Sequence, residues 1–185
     1  TIDPSGQEDR QEFDARGRVI KTIQNYQDAA VDGDYPDEDV TVEMTYSADG
    51  QVATLTAKNP STGDQTTQYA YGTTLSDSEI ARSDLLRAEI YPDSDDVADP
   101  LGDGTDGVYD RVEYKYNRQG QRTEKKDQNG TVHAYQFDAL GRLLHDQVTT
   151  LGTYIDGAVR RTSTTYEVRG MVERIAVLKK CLTLT

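Results

Sequence analysis

Large side chains recur along this chain in short alternating runs, each closed by a polar residue and a glycine. The clearest pair is Tyr114-Lys-Tyr116-Asn-Arg-Gln-Gly120 and Tyr135-Gln-Phe137-Asp-Ala-Leu-Gly141, with their first rings 21 positions apart (135 − 114). Rings at i and i+2 share one face of an extended strand, because side chains alternate across the pleat. Asn or Asp at the strand end, with glycine three residues later, is tight-turn chemistry in which glycine takes the positive φ that other residues resist. The chain then resumes as a strand, through Gln121-Arg122-Thr123 in one copy and Arg142-Leu143-Leu144 in the other. Between the copies, Asp127-Gln128-Asn129-Gly130-Thr131 supplies a second turn with an Asn-Gly hairpin signal. The unit is strand, turn, strand, turn, and a period in this range marks a repeat architecture.

The template of a ring followed by glycine at +4 recurs elsewhere: Phe13-Asp14-Ala-Arg-Gly17, Tyr46-Ser-Ala-Asp-Gly50 and Tyr166-Glu-Val-Arg-Gly170. Five copies share one grammar, and Tyr69-Ala-Tyr71-Gly72 keeps the rings but loses the turn. The predicted fold class is therefore all-β, with antiparallel hairpins stacked into a curved, solenoid-like sheet. Strands are predicted at 40–46, 52–57, 65–71, 85–91 and 108–116, and an acidic, turn-rich loop at 28–39. Ser76-Asp-Ser-Glu79 has the capping-box pattern, which predicts one short helix over 77–82. Residues 1–12 read as a polar, frayed segment, 13–178 as the repeat region, 92–107 as an irregular acidic insertion and 179–185 as a loose tail.

The grammar resembles the YD-repeat, or Rhs-repeat, family, whose units read approximately Tyr-x-Tyr-Asp-x-x-Gly-Arg-Leu. Phe137-Asp138-Ala139-Leu140-Gly141-Arg142-Leu143 is nearly that pattern, and Phe13-Asp14-Ala15-Arg16-Gly17-Arg18-Val19 is close to it. Ser47 and Glu167 depart from it at the Asp position, and Gln or Met replaces Arg after Gly50, Gly120 and Gly170. The resemblance implies a bacterial, secreted or cell-surface β-shell whose repeats enclose a carboxy-terminal toxin or other polymorphic domain. The partners it implies are neighbouring repeats and that enclosed domain. An adhesion module for carbohydrate or a cell-surface partner is the alternative; it requires an exposed tyrosine patch, whereas a shell buries those rings between units.

Composition sharpens this picture. Hydrophobic residues make up only 35% of the 185 residues, which suits a thin β-wall better than a thick core, and twelve Tyr stand against two Phe. Rings that carry hydroxyls suit boundaries where one end stays polar. A net charge of −13 argues against nucleic acid, since phosphate binding needs clustered Lys and Arg. No apolar run is long enough to span a membrane. Cys181 is the single cysteine, so no intramolecular disulfide framework exists. The chain opens at Thr1 without a methionine or the features of a signal peptide, and reads as a piece of a longer protein.

Catalytic chemistry has little support. No Gly-x-Ser-x-Gly elbow occurs, no Cys lies near His133 or His145, and no enzyme is expected. The one cofactor reading is calcium at the acidic insertion, where Asp93, Asp95, Asp99, Asp103 and Asp106 are candidate oxygen ligands, although neither an EF-hand frame nor a glycine-rich nonapeptide is present. The residues expected to carry the repeat are Phe13, Asp14, Gly17, Tyr46, Gly50, Tyr114, Tyr116, Gly120, Tyr135, Phe137, Asp138, Gly141, Arg142, Tyr166 and Gly170. Arg18 and Arg142 are expected to pair with Asp14 and Asp138 or to reach a neighbouring unit.

Overall fold

The computed structural model describes residues 1–179 apart from 3, 5 and 29–36. The tail beyond 179, with Cys181, and most of the predicted 28–39 loop lie outside the described residues. All regular structure within them is β, in two compact units: residues 1–70 with 90–93, and residues 71–89 with those from 94 onward.

The first unit holds β1 (Arg10–Phe13), β2 (Val19–Gln24), β3 (Val40–Tyr46), β4 (Val52–Ala57) and most of β5 (Gln65–Thr73), hydrogen-bonded in sequence order. β1 begins inside the segment predicted to fray. Its pairing with β2 holds it there, and an Ile2–Glu8 bridge precedes it. Hydroxyl pairs Thr45–Thr54 (2.7 Å) and Thr56–Thr66 (2.9 Å) link neighbouring strands, and Ile23, Ala70 and Ile90 are its buried apolar residues alongside buried Asp39 and Thr41.

The second unit contains β6 (Arg82–Ile90, its last residue assigned to the first unit), β7 (Val97–Ala98), β8 (Leu101–Gly102), β9 (Val112–Tyr116), β10 (Arg122–Lys126), β11 (Val132–Phe137), β12 (Leu143–Thr150), β13 (Val159–Tyr166) and β14 (Val172–Lys179). The order β6-β9-β10-β11-β12-β13-β14 is again that of the sequence, and every pairing is antiparallel. Ala88, Val112, Tyr114 and Tyr116 are buried here, which places the core under the β6–β9 pair.

Two expectations fail in this unit. No helix forms at 77–82: residues 75–80 are turns and bends, and Arg82 already belongs to β6. The polar groups that were to cap a helix are taken elsewhere. Asp77 accepts the N–H of Thr74 (2.9 Å) and its hydroxyl (2.7 Å), Ser78 Oγ accepts the N–H of Tyr116 (3.1 Å), and the N–H of Glu79 donates to the Tyr116 carbonyl (2.8 Å). A six-residue helix cannot repay its nucleation against a sheet edge offering ready partners. The 92–107 insertion is also more ordered than its glycines and acids imply, because β7 and β8 pair as a minimal hairpin within it.

Candidate functional site: the hairpin turns and their clasps

The five ring–glycine units fold as five hairpins, β1–β2, β3–β4, β9–β10, β11–β12 and β13–β14, each closed by the same turn. In the fourth, the N–H of Asp138 donates to the Arg142 carbonyl and the N–H of Gly141 to the Asp138 carbonyl, both at 2.9 Å. Residues 14–18, 47–51, 117–121 and 167–171 repeat this pair of bonds, as does the linking turn 127–131. The geometry is a type I turn followed by a left-handed residue, the three-residue hairpin loop, and Gly141 at φ 81° fills the left-handed place.

The aspartate fastens the turn. Asp138 Oδ1 accepts the N–H of Leu140 and of Arg142 at 2.9 Å each, while Oδ2 accepts Arg142 Nε at 2.7 Å. Asp14 does the same with Arg16 (2.8 Å), Arg18 (2.9 Å) and Arg18 Nε (2.7 Å). Both carboxyls are held below the usual carboxylate range, first by the donated N–H of Arg18 or Arg142 and then by the guanidinium, against the opposing effect of burial. A lowered folded value means that the stabilisation is complete above the unfolded carboxylate value of about 4 and is lost as pH falls through the folded value. The melting temperature of an Asp14→Asn/Asp138→Asn variant should therefore fall short of wild type by a gap that is widest near neutrality and closes in acid. A gap independent of pH, read by circular dichroism, would rule out the charge as its source.

From the turn, the residue after the glycine clasps the next hairpin. Extending the Lys21–Glu43 register three residues toward the turn sets Arg18 opposite Tyr46; the same step from His145–Ser163 sets Arg142 opposite Tyr166, and from Glu124–Ala134 sets Gln121 opposite Phe137. The guanidinium carbons of Arg18 and Arg142 lie 4.2 and 4.4 Å from the Tyr46 and Tyr166 ring centroids, which is cation–π distance. Each tyrosine answers with its hydroxyl: Tyr46 donates to the Val19 carbonyl at 2.6 Å and Tyr166 to the Leu143 carbonyl at 2.9 Å. Tyr116 donates to the Leu86 carbonyl at 2.7 Å, and burial raises its hydroxyl pKa. Where the clasp is Gln121, the side chain bonds the Gly141 carbonyl at 2.9 Å instead, and the opposing ring is Phe137, which has no hydroxyl.

Turn and clasp residues are thus matched in kind. Asp pairs with Arg at 14/18 and 138/142, whereas Asn117 pairs with Gln121 (2.9 Å between side chains) and Ser47 with Gln51. Glu167, opposite the apolar Met171, turns to Arg169 at 3.1 Å.

The remaining candidates fall outside this pattern. Tyr114 bonds Glu89 at 2.9 Å with Arg122 stacked on its ring, and Tyr135 lies beside His133, whose Nδ1 is 2.7 Å from Asp146 Oδ1. His145 lies 3.0 Å from the Ser163 hydroxyl. Phe13, on the outer strand β1, is exposed. Carboxylates of the acidic insertion are engaged by the chain itself. Asp95 accepts the N–H and hydroxyl of Thr105, Asp106 accepts the N–H of Val108, and Asp103 bonds Arg111 at 2.6 Å. Among the described residues no group of three or more His, Cys, Asp or Glu is placed to hold a metal.

Sequence reasoning missed Arg111. Its Nη1 bonds Asp96 (2.7 Å) as well as Asp103, its Nε bonds Glu113 (2.7 Å), and its guanidinium lies 4.6 Å from the Tyr109 centroid. Burial opposes its charge, but the three carboxylates outweigh burial and raise its pKa. A lone Arg after an acid-rich loop was the available signal.

Residues 116–154, spanning the third turn to the end of the fourth hairpin, match the RHS repeat family. The chain carries an RHS repeat. Solved structures share the fold of this chain. The crystal structure of TcdB2-TccC3 superposes with a TM-score of 0.62 at 16% identity, covering 94% of this chain and 8% of its counterpart. The TcdB2-TccC3 structure without its hypervariable C-terminal region gives 0.60 at 15%, covering 91% and 7%. TcdB2-TccC3-Cdc42 gives 0.59 at 16%, covering 94% and 8%. This chain therefore spans less than a tenth of the length of the structures it matches. No curated protein matches the sequence. Its repeats serve a structural role, in which the motif residues bind hairpin to hairpin.

Proposed function

We propose that this chain is a section of the wall of an RHS shell that encloses a carboxy-terminal toxin or other polymorphic domain, within a secreted or surface-displayed protein. The observation that carries this reading is the clasp. The hydroxyls of Tyr46, Tyr116 and Tyr166 donate to carbonyls of the strand before them in the sheet, and Arg18 and Arg142 cover the rings of Tyr46 and Tyr166, so the motif's binding capacity is directed into continuing the sheet. A carbohydrate platform would need those faces open. Likeness to TcdB2-TccC3, whose C-terminal region is hypervariable and separable, supports an enclosing wall with exchangeable contents. The acidic insertion serves in this reading as a brace around Arg111 and requires no calcium.

The test is made on the full-length polypeptide that contains this segment. Electron microscopy should show a closed, hollow body with internal density, and the carboxy-terminal domain should resist protease until denaturant opens the wall. An open array with a protease-sensitive carboxy terminus overturns the proposal.

A further inference from the structure

Gln121 leaves one ring of the repeat uncovered. At Tyr46 and Tyr166 an Arg clasp lies over the ring opposite, whereas Gln121 turns to the Gly141 carbonyl at 2.9 Å. A cavity of about 480 Å³ stands open there, lined by Tyr116, Gly120, Arg122, Tyr135, Phe137 and Leu143. The strands around it, β9 to β12, are each hydrogen-bonded on both sides, so it lies on the face of the sheet and away from any edge. Two cations share that face. A bulge in β10 between Arg122 and Glu124 sets Arg122 in register with Tyr116 and Lys125 with Tyr114, and those two rings, at i and i+2, point the same way. Neither cation has an ion-pair partner among the described residues. The Arg122 guanidinium carbon is 3.9 Å from the Tyr114 ring centroid, a contact that uses the flat side of the group and leaves N–H donors at its edge. Asp146, in register with Tyr135, is the one carboxylate that β9 to β12 place on this face, and it lies 2.7 Å from His133 Nδ1. Glu113 and Glu124 alternate to the other face, where Arg111 and Lys115 hold them at 2.7 Å each. In a chain of net charge −13, this patch is cationic and aromatic.

We propose that this cavity docks an acidic polypeptide segment, which seats an aromatic side chain against Tyr135, Phe137 and Leu143, sets a neighbouring carboxylate on Arg122 and meets Lys125 with a second. Charge complementarity selects this occupant. A guanidinium held by a ring at its back receives a carboxylate through two parallel N–H bonds, and that geometry favours an acid over any neutral group. The apolar floor beside it removes an aromatic ring from water, which an acid alone would not exploit. A neutral apolar segment would leave both cations unanswered. The inference goes beyond the reading of the chain as a wall and is independent of what that wall encloses.

The protein has no tryptophan, so the indole emission of a blocked pentapeptide, Gly-Asp-Trp-Asp-Gly, reports its binding to the 185-residue chain without background. Titration in moderate salt, which screens the overall charge, should saturate. The same peptide with asparagines in place of its aspartates should bind about tenfold more weakly, the scale of one charge-assisted hydrogen bond. Arg122→Gln should weaken the acidic peptide by a similar factor with an unchanged circular-dichroism spectrum. Gln121→Arg separates the cavity from the charge. Its guanidinium should cover Phe137 as Arg142 covers Tyr166, so binding should weaken although a positive charge has been added. A wild type that does not saturate, equal affinity for the two peptides, an Arg122→Gln chain that binds as wild type does, or a Gln121→Arg chain that binds more tightly overturns the proposal. The comparison of the two peptides on wild type decides the matter even where a variant fails to fold.

Discussion

Replacing Arg111 by Met should lower the melting temperature by about 6–20 °C. The side chain of Asp96 is fully buried and that of Arg111 is 9% exposed, so the substitution leaves a carboxylate in the interior without its counter-charge. Removing one partner of a buried pair costs about 3–5 kcal/mol, and each kcal/mol shifts the midpoint by about 2–4 °C at this chain length. Asp96 cannot be rescued nearby. Its Oδ1 has no hydrogen-bond partner among the described residues, and its Oδ2 keeps only the N–H of Asp110 at 3.3 Å. Asp103 and Glu113 also converge on the same guanidinium and would then repel one another. Two companion results separate this account from simple loss of packing. Arg111→Met/Asp96→Asn should recover a substantial part of the loss, because no unpaired charge remains. Limited proteolysis of the single variant should nick within 93–107, the stretch that the Asp96 and Asp103 contacts hold down. A single variant within about 1 kcal/mol of wild type would show that the insertion is anchored otherwise.

The difference between Arg111 and the hairpins shows where sequence reasoning succeeds in this protein. A ring at a strand end and a glycine four residues on are local constraints. The first places a large side chain on one face of the pleat, and the second is demanded by a left-handed backbone, so five hairpins are legible without tertiary information. The match of Asp14 to Arg18 and of Asp138 to Arg142 is legible for the same reason, since both partners belong to one turn. Their second contact, onto Tyr46 and Tyr166, depends on which hairpin comes next and in what register, so sequence could name it only as an option. Arg111 gathers carboxylates 2, 8 and 15 residues away through a loop without periodicity, and no spacing rule reaches that. The 77–82 helix fails in the opposite sense. Its capping signal is real, but Ser78 and Glu79 find the backbone of Tyr116, far along the chain, and tertiary hydrogen bonds override a weak local preference.

That same Tyr116 is where the second large effect is expected. Tyr116→Ala should cost about 3–5 kcal/mol, the range for deleting a buried aromatic ring, because the residue is only 6% exposed and sits at the core of the second unit. Its backbone pairs would survive: the N–H to Ser78 and the carbonyl from Glu79 do not need the ring. Its hydroxyl bond to the Leu86 carbonyl would not, and Tyr116→Phe isolates that part at about 0.5–1.5 kcal/mol, the net contribution of one hydrogen bond, since the bond is part-buried. The phenylalanine variant therefore measures what a clasp hydroxyl contributes, and the remaining gap to alanine measures the ring. Tyr166→Phe removes the equivalent bond to Leu143 at a half-buried site where water can replace the donor, so its cost should be smaller than that of Tyr116→Phe. Phe137 shows that a ring without a hydroxyl is tolerated opposite a clasp that does not ask for one, as Gln121 does not. If denaturant melts place Tyr116→Phe and Tyr166→Phe both at no cost, the hydroxyls are incidental and the hairpins are held in register by the turns and the rings alone; equal non-zero costs would show that burial does not set what a hydroxyl contributes.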